Sequence, residues 1–493
     1  MTPTQPLVAI ADLMQTSGVT FGTSGARGLV TAMTDKVCYA YASAFLQYLR
    51  SIDELGERGA IALGGDLRAS SGRIMQAIGA AITESGFSVI NCGTIPTPAI
   101  AQFGMLRAIP SIMVTGSHIP DDRNGIKFYK RDGEILKADE EGIRRQSVRL
   151  PRTLSCPSLA PVNSEAYQAY VDRYVNFLPE LCLRGLRLGL YEHSGVGRDV
   201  FFEILNRLGA DVVRLDRTDA FIPVDTEAIR PQDVTLAQQW AAEHHFDAII
   251  SADGDGDRPL ISDEQGKWLR GDIAGILCAQ YLGAETVVTP VSSNTAVEKS
   301  GLFKSVRRTR IGSPFVIEEM TLALREGAQN VVGYEANGGF LTATNIVRHG
   351  ATLTALPTRD AMIVPLAILL LASQKELSIS QLTAQLPPRY TISDRVKEFP
   401  TQLSAKKIAA LTHAQPEQAI ETVFGDYFGK VANWNMLDGL RITFENSEVV
   451  HLRPSGNAPE FRCYTEADSE ARATEMNTLC MNIIKSWLPH SPT

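Results

Sequence analysis

FDAIISADGDGDR, residues 246–258, is the stretch from which the fold is read. Its first half is apolar and passes without a break into a polar loop where glycine alternates with aspartate. An apolar run ending in such a loop marks a buried strand of an open α/β sheet, and ligands sit at the carboxyl end of such strands. The pattern recurs on either side. GAIALGGD (59–66) is followed by a helical run over 73–83, then SGFSVINCG, a second helix and SIMVTGSH. LRLGLYEHSGVG (186–197) leads through a helix over 199–208, GADVVRLD and another helix to the aspartate loop itself. ETVVTPVSSNT (285–295), a helix near 313–326 and AQNVVGYEANGG form the third copy. In the middle copy Val200, Phe201, Ile204, Leu205 and Leu208 share one helical face, and Gly209 stops the helix. Three consecutive α/β domains with mixed sheets are therefore expected. Beyond Pro387 and Pro388 the character changes. Residues 439–467 read as consecutive strands and 476–488 as a helix, a smaller C-terminal α+β domain. The expected divisions are 1–160, 161–267, 268–385 and 386–493.

Composition narrows the function classes. Of 493 residues, 47 are basic and 55 acidic, leaving −8 at neutral pH, the wrong sign for a general nucleic-acid binder. Hydrophobic residues make up 44% and charged ones 21%, a balance that fits packed domains and opposes disorder. Cys38, Cys92, Cys156, Cys182, Cys278, Cys463 and Cys480 are odd in number and form no CxxC pair, so neither a disulfide framework nor a zinc ribbon is indicated. The N-terminal residues lack the basic and apolar regions of a secretory signal. The most apolar run, AMIVPLAILLLA (361–372), contains Pro365 and is shorter than the ~20 residues that span a bilayer, so a buried helix is expected. A cytoplasmic protein without nucleic-acid or membrane partners is the simplest expectation.

Five loops carry chemistry. Asp253, Asp255 and Asp257 repel one another at this spacing, and a hard divalent cation accommodates their charge best, with the glycines letting the oxygens converge. Glu264 stands twelfth from Asp253, as in an EF-hand. Arg258, however, occupies the sixth position, where glycine is required, and a strand enters instead of a helix. In TGSHIP, Ser117 ends an apolar strand as a nucleophile or phosphate carrier or as a plain capping serine, with His118 a helper or a structural histidine and Lys127 ten residues on. Arg453-Pro-Ser455-Gly456-Asn457 offers guanidinium, hydroxyl and backbone donors to a phosphate, or is a plain β-turn. In GYEANGG, Glu335 and Asn337 match a polyol's donors and acceptors, with a solvated loop as the alternative. The last is TFGTSGARGLV, with Arg27 between glycines.

Taken together and in order, these loops resemble the α-D-phosphohexomutase family, from FGTSGARG at residue 21 to RPSGNAPEFRCYTEA ending at 467. The resemblance implies four domains, each sending one loop into a central cleft. It implies transfer of a phosphoryl group between hexose 1-phosphate and hexose 6-phosphate through a phosphorylated Ser117 and a bisphosphorylated sugar. On the same basis Asp253, Asp255, Asp257 and the phosphoserine would hold Mg2+, and hexose 1,6-bisphosphate would serve as activator. Arg27, Lys127 and Arg258 match basic residues that steer proton transfer and phosphoryl charge at the reacting hydroxyl, with His118 kept as a helper beside Ser117. Glu335 and Asn337 match sugar selection, and Gly312 and Ser313 match the third domain's glycine turn. Arg453, Ser455, Gly456 and Asn457 match the grip on the non-reacting phosphate. Ile119, Asn337, Gly339 and Asn457-Ala458 depart from the usual pattern, where asparagine, serine, histidine and Thr-Glu are frequent. Phosphomannomutase leads among the implied activities, before phosphoglucomutase and phosphoglucosamine mutase; a non-catalytic sugar-phosphate sensor is the alternative of another class.

Overall fold

The computed structural model describes residues 6–22, 24–55, 59–455 and 459–488. They form two compact units: one takes the chain through Val287 and adds Gly312–Thr383, the other joins Val288–Ile311 to the segment from Ala384 onward.

The first unit begins with a seven-stranded mixed sheet. Its order is Thr20–Phe21, Ala26–Leu29, Arg123–Lys130, Ser111–Val114, Ala60–Gly65 and Ser88–Thr94, with Gly133–Glu134 added beside Arg123–Lys130. Ala60–Gly65 runs parallel to both of its neighbours, as the βαβ pattern requires. Arg123–Lys130 returns antiparallel and sets Lys127 directly opposite Met113. That return places Ser117 in the loop between two adjacent strands. Helices Asp35–Ser51 and Ser71–Glu84 bury Phe45, Leu49, Ile74 and Ile78 with Ile112 and Phe128 of the sheet in one cluster. Thr34 caps the first of these helices by accepting from the Val37 N–H at 3.4 Å.

A second sheet of the same unit has the order Asp211–Arg217, Arg187–His193, Ala248–Ala252, Pro259–Ile261. The first three strands are parallel and the last turns back antiparallel. Helix Arg198–Arg207 buries Val200, Phe201, Ile204 and Leu205, the face read from the sequence. The third α/β region contributes helices Gly271–Leu282 and Ser313–Arg325 and the hairpin Val331–Tyr334/Phe340–Thr342. The apolar run is helix Ile363–Lys375, buried from Ile363 through Ala372. Pro365 falls in its first turn, where an N–H would have no intrahelical partner. Among the described residues no helix is long and apolar enough to cross a membrane.

The second unit is built on a five-stranded antiparallel sheet ordered Tyr390–Lys397, Glu460–Ala467, Val449–Pro454, Leu440–Phe444, Val431–Asn435. Ile442, Leu452 and Phe461 meet Met476 and Ile484 in its core. The final helix spans Glu470–Ser486 and so starts six residues before the expected position 476. Ser469 explains the difference: its hydroxyl accepts from the Arg472 N–H at 3.2 Å and starts the helix there.

Two histidines, one in each unit, are buried against carbonyls: His193 Nε2 lies 2.8 Å from the Ala252 oxygen and His451 Nε2 lies 2.6 Å from that of Asp438. Burial pushes both down to about 4. Each is neutral when folded but binds a proton in the unfolded chain below its usual 6.5. Their contribution is therefore complete above pH 6.5 and is lost as the pH falls toward 4, by on the order of 3 kcal/mol apiece. The melting temperature of His451→Gln should accordingly fall less steeply than that of the parent protein across this window. Parallel slopes in thermal melts would contradict it.

Candidate active site

The aspartate loop is the six-residue connection of a hairpin whose last pair is Ala252 opposite Pro259. The entering strand is buried throughout, so its register drives Asp253, Asp255 and Asp257 into the interior, where none of the three is exposed. Gly256, at φ +69°, allows the chain to turn. One oxygen of each aspartate falls within 4.8 Å of the others. Asp253 Oδ1 accepts the backbone N–H groups of Asp257 and Arg258 at 3.1 Å each. Asp255 Oδ2 accepts from Lys127 Nζ and from the Thr97 hydroxyl, both at 2.6 Å. Asp257 Oδ2 accepts from Lys127 at 2.6 Å and from two nitrogens of Arg359, Nη2 at 2.9 Å and Nε at 3.1 Å.

Electrostatics separates the three carboxyls. Burial, then repulsion by Asp255 and Asp257, pushes Asp253 well above the usual carboxylate range. Burial acts the same way on its two neighbours but is outweighed there. Lys127, Thr97 and Arg359 hold Asp255 low, and Arg359 and Lys127 do so for Asp257. Among the described residues, Asp255 Oδ1 and Asp257 Oδ1 are buried without a hydrogen bond, the second with Arg258 Nε 3.7 Å away. Two orphaned carboxylate oxygens beside a third carboxylate are a hard, all-oxygen donor set that fits a divalent cation.

Ser117 faces this loop. Its hydroxyl donates to Asp253 Oδ2 at 2.6 Å and lies 3.3 Å from His118 Nδ1. The residue is fully buried and sits at φ +53°, in the left-handed region that non-glycine residues rarely enter. The surroundings impose that conformation. The Ser117 N–H donates to Thr115 Oγ1 at 2.8 Å, and its carbonyl accepts from Arg68 Nη2 at 2.9 Å. Arg68 also donates to the carbonyls of Ile119 at 2.5 Å, Pro120 at 2.8 Å and Arg123 at 3.1 Å, and its Nε meets Asp66 at 3.2 Å. One buried guanidinium thus ties the whole loop down, stacked 3.9 Å from the centre of the Phe221 ring. Gly116 must be glycine here, since a Cβ would stand 2.6 Å from the Arg68 guanidinium carbon.

Arg258 Nη1 lies 3.0 Å from His118 Nδ1. A guanidinium only donates, so that ring nitrogen is an acceptor and the proton resides on Nε2. Burial and Arg258 push His118 down to about 3. Arg27, paired in register with Gly125, is pushed down to about 10 by burial and by Arg258 and Arg359. In the loop after strand Val331–Tyr334, Gly339 N–H donates to Asn337 Oδ1 at 3.0 Å and Glu335 accepts from Arg359 Nη1 at 3.3 Å.

The first unit thus brings together Ser117, His118, Arg27, Lys127, Arg258, the three aspartates and Glu335. Asn337 is bound through its carbonyl to Thr226 at 2.6 Å. Gly312, at φ +132°, opens helix Ser313–Arg325, and the Ser313 hydroxyl reaches Glu134 at 3.3 Å beside Ser24. Arg453 and Ser455 lie in the second unit. Arg453 Nε meets Asp438 at 2.8 Å, and the Ser455 N–H donates to the Glu460 carbonyl at 2.9 Å. Gly456 and Asn457 lie outside the described residues. Sequence reasoning missed Arg68, Thr97 and Arg359. Asp66-Leu-Arg68 directly after the strand's glycine pair was a usable signal for the first; the other two carry none in isolation.

Comparison with known proteins covers the chain nearly end to end. It matches the models of phosphoglucomutase/phosphomannomutase α/β/α domain I over residues 18–150, domain II over 165–266 and domain III over 270–390, and of the C-terminal domain over 402–479. It is 43% identical to the phosphomannomutase of Salmonella muenchen over 97% of this chain and 98% of that one. It is 42% identical to the phosphomannomutase of Sinorhizobium fredii over 95% and 99%. A phosphoglucomutase/phosphomannomutase family protein from Burkholderia thailandensis superposes with a TM-score of 0.74 at 18% identity, covering 98% of this chain and 99% of that one. The Aspergillus fumigatus N-acetylphosphoglucosamine mutase in complex with GlcNAc-6P and magnesium gives 0.60 at 16%, covering 97% and 98%. These last two establish the fold.

The Arg68 clamp is directly testable. Gly116→Ala should displace the guanidinium, speed amide exchange across 116–119 by about tenfold or more and destabilise the protein by about 1–3 kcal/mol. Unchanged exchange at Ser117 in that variant would show that Arg68 does not hold the loop.

Proposed function

Because the chain belongs to the phosphoglucomutase/phosphomannomutase family, we propose that it interconverts hexose 1-phosphate and hexose 6-phosphate through a phosphorylated Ser117, with mannose as the preferred sugar. One observation carries this reading above the others: a buried serine hydroxyl points at a carboxylate triad in which two oxygens make no hydrogen bond among the described residues. The preference for mannose rests on the 43% and 42% identical phosphomannomutases, each aligned over nearly its full length. Glucose and glucosamine phosphates are the alternatives within the family. A non-catalytic sensor would have no use for a strained, fully buried serine beside a metal-type loop.

Asp253, Asp255 and Asp257, together with the phosphate on Ser117, would hold Mg2+, which supplies positive charge that draws electron density from the phosphoryl group. The chain's own groups do the rest. Uncatalysed phosphate-monoester cleavage is extremely slow, so charge stabilisation has to supply most of the acceleration. Arg258 and Arg27 stand where negative charge spreads as the phosphoryl group leaves the serine. His118, neutral with its proton on Nε2, is a donor to a phosphate oxygen and adds no charge. Arg27, lowered to about 10, exchanges a proton with a sugar hydroxyl more readily than an ordinary guanidinium does. Burial of Ser117 keeps competing water away from the phosphoryl group. Glu335 and Asn337 select hydroxyls. By the family resemblance, Arg453, Ser455, Gly456 and Asn457 would grip the phosphate that is not reacting. Hexose 1,6-bisphosphate is the activator that first loads the serine. Seven cysteines, all free, fit residence in a reducing cytoplasm.

The test is chemical. Intact mass should show a species about 80 Da heavier on Ser117 that discharges on incubation with a hexose monophosphate. Ser117→Ala should lack the adduct and lose at least about a thousandfold in turnover while melting within a few degrees of the parent. Full activity in that variant would end the phosphoserine reading. Coupled assays of mannose 1-phosphate and glucose 1-phosphate side by side, with Mg2+ and a bisphosphate primer, decide the sugar.

A further inference from the structure

We propose that Arg359 is a positioning residue that couples cation binding at the aspartate loop to sugar recognition at Glu335; the proposal rests on reading Glu335 as a sugar-selecting carboxylate. Arg359 lies on the segment between strand Ala351–Leu353 and helix Ile363–Lys375 and is only 2% exposed. Its guanidinium is divided between two acids. Nη2 and Nε donate to Asp257 Oδ2 at 2.9 and 3.1 Å, and Nη1 donates to Glu335 Oε2 at 3.3 Å. Burying a guanidinium is costly unless its donors are used, and a fork of fixed geometry sets the position of both acceptors at once. Lys127 takes the same Asp257 oxygen, so Oδ2 receives the hydrogen bonds of both cations while Oδ1 makes none among the described residues and has only Arg258 Nε nearby, at 3.7 Å. The aspartate is thereby oriented with one oxygen toward Arg359 and the other available to an ion.

The backbone that carries Arg359 is itself held fast. Asp360 accepts from the hydroxyls of Tyr170, at 2.7 Å, and of Tyr174, lies 3.5 Å from Arg173 Nε, and accepts from the Met362 N–H at 3.2 Å. Its own N–H donates to the Phe340 carbonyl at 2.9 Å. Room for the side chain comes from the sugar-type loop: a Cβ at Gly339 would stand 2.4 Å from Arg359 Cδ and 2.7 Å from Cγ. The arginine occupies the space where the resemblance leads one to expect a side chain from that loop. A cation that attracts Asp257 changes the share of Arg359 left for Glu335, and a sugar hydroxyl that engages Glu335 changes the share left for Asp257.

Titration calorimetry of the full-length, unphosphorylated protein with Mg2+ alone tests the coupling without reference to turnover. Glu335→Gln should weaken Mg2+ binding several-fold although Glu335 is not in the aspartate loop, because a guanidinium that has lost its second charged anchor holds Asp257 less firmly in the orientation that turns Oδ1 toward the ion. Arg359→Lys, which keeps the charge but cannot span both acids, should weaken Mg2+ binding about tenfold. In the Arg359→Lys background the Glu335→Gln effect should shrink below about twofold. Arg359→Lys should also raise KM for mannose 1-phosphate more than it lowers kcat and narrow the preference between mannose and glucose 1-phosphates. A Glu335→Gln effect that persists unchanged in the lysine background, or Mg2+ affinity indifferent to both substitutions, would overturn the proposal. If the parent protein turns over no hexose phosphate, the proposed reaction fails, and the Mg2+ titrations still decide the role of Arg359.

Discussion

Three carboxylates held out of water within one six-residue loop are the constraint around which the first unit is organised. Left alone they would take up protons or pull the loop apart, since burial and mutual repulsion both oppose their charge. The fold answers by importing cations from separate parts of the chain. Lys127 arrives on the returning strand of the first sheet, Arg258 at the end of the loop itself, and Arg359 from the segment before the most apolar helix. With Arg27, these make four cations against Asp253, Asp255, Asp257 and Glu335. The ledger of charge is close to even before any ligand arrives, and a phosphoserine dianion with a divalent cation would leave it even. A chain of net −8 therefore carries, around its aspartate loop, a cluster of charges that is locally close to balanced.

Much of this was legible in the sequence, for reasons that differ from element to element. The strand before Asp253 is wholly apolar and the loop after it wholly polar, so both the buried sheet and the convergence of the aspartates followed from local pattern. Helix Arg198–Arg207 was recovered face and all because its apolar residues keep a helical period. The C-terminal helix was misplaced by six residues because a cap is one side chain, Ser469, and leaves no periodic trace. Arg68 left one local trace, the aspartate two residues before it, whereas Thr97 and Arg359 left none, for a deeper reason. Each acts across a long sequence separation on a partner that only the folded chain supplies, and a lone arginine in a loop reads the same whether it binds solvent or five carbonyl and carboxylate oxygens.

Ser117 shows how a serine hydroxyl is fixed in place by the geometry around it. A left-handed backbone at a serine is unfavourable by about 1–3 kcal/mol and persists only when neighbours over-determine it. Here Thr115 holds the N–H, Arg68 holds the carbonyl, and Asp253 takes the hydroxyl proton. The hydroxyl is thereby presented without the rotational freedom of an ordinary surface serine, and the strain is carried by a loop whose other carbonyls are bound to one guanidinium.

The close approach of Gly339 to Arg359 bears on how this site can vary between relatives. Two positions twenty residues apart compete for a single volume, so the first cannot gain a side chain while the second keeps its arginine. A chain that places a bulky residue at the first must carry something short or differently directed at the second, and with it a different means of steadying Asp257. Substitutions at these two sites should travel as a pair through the lineage, dividing the family into members that steady the aspartate loop from the segment before helix Ile363–Lys375 and members that do so from within the loop around Gly339.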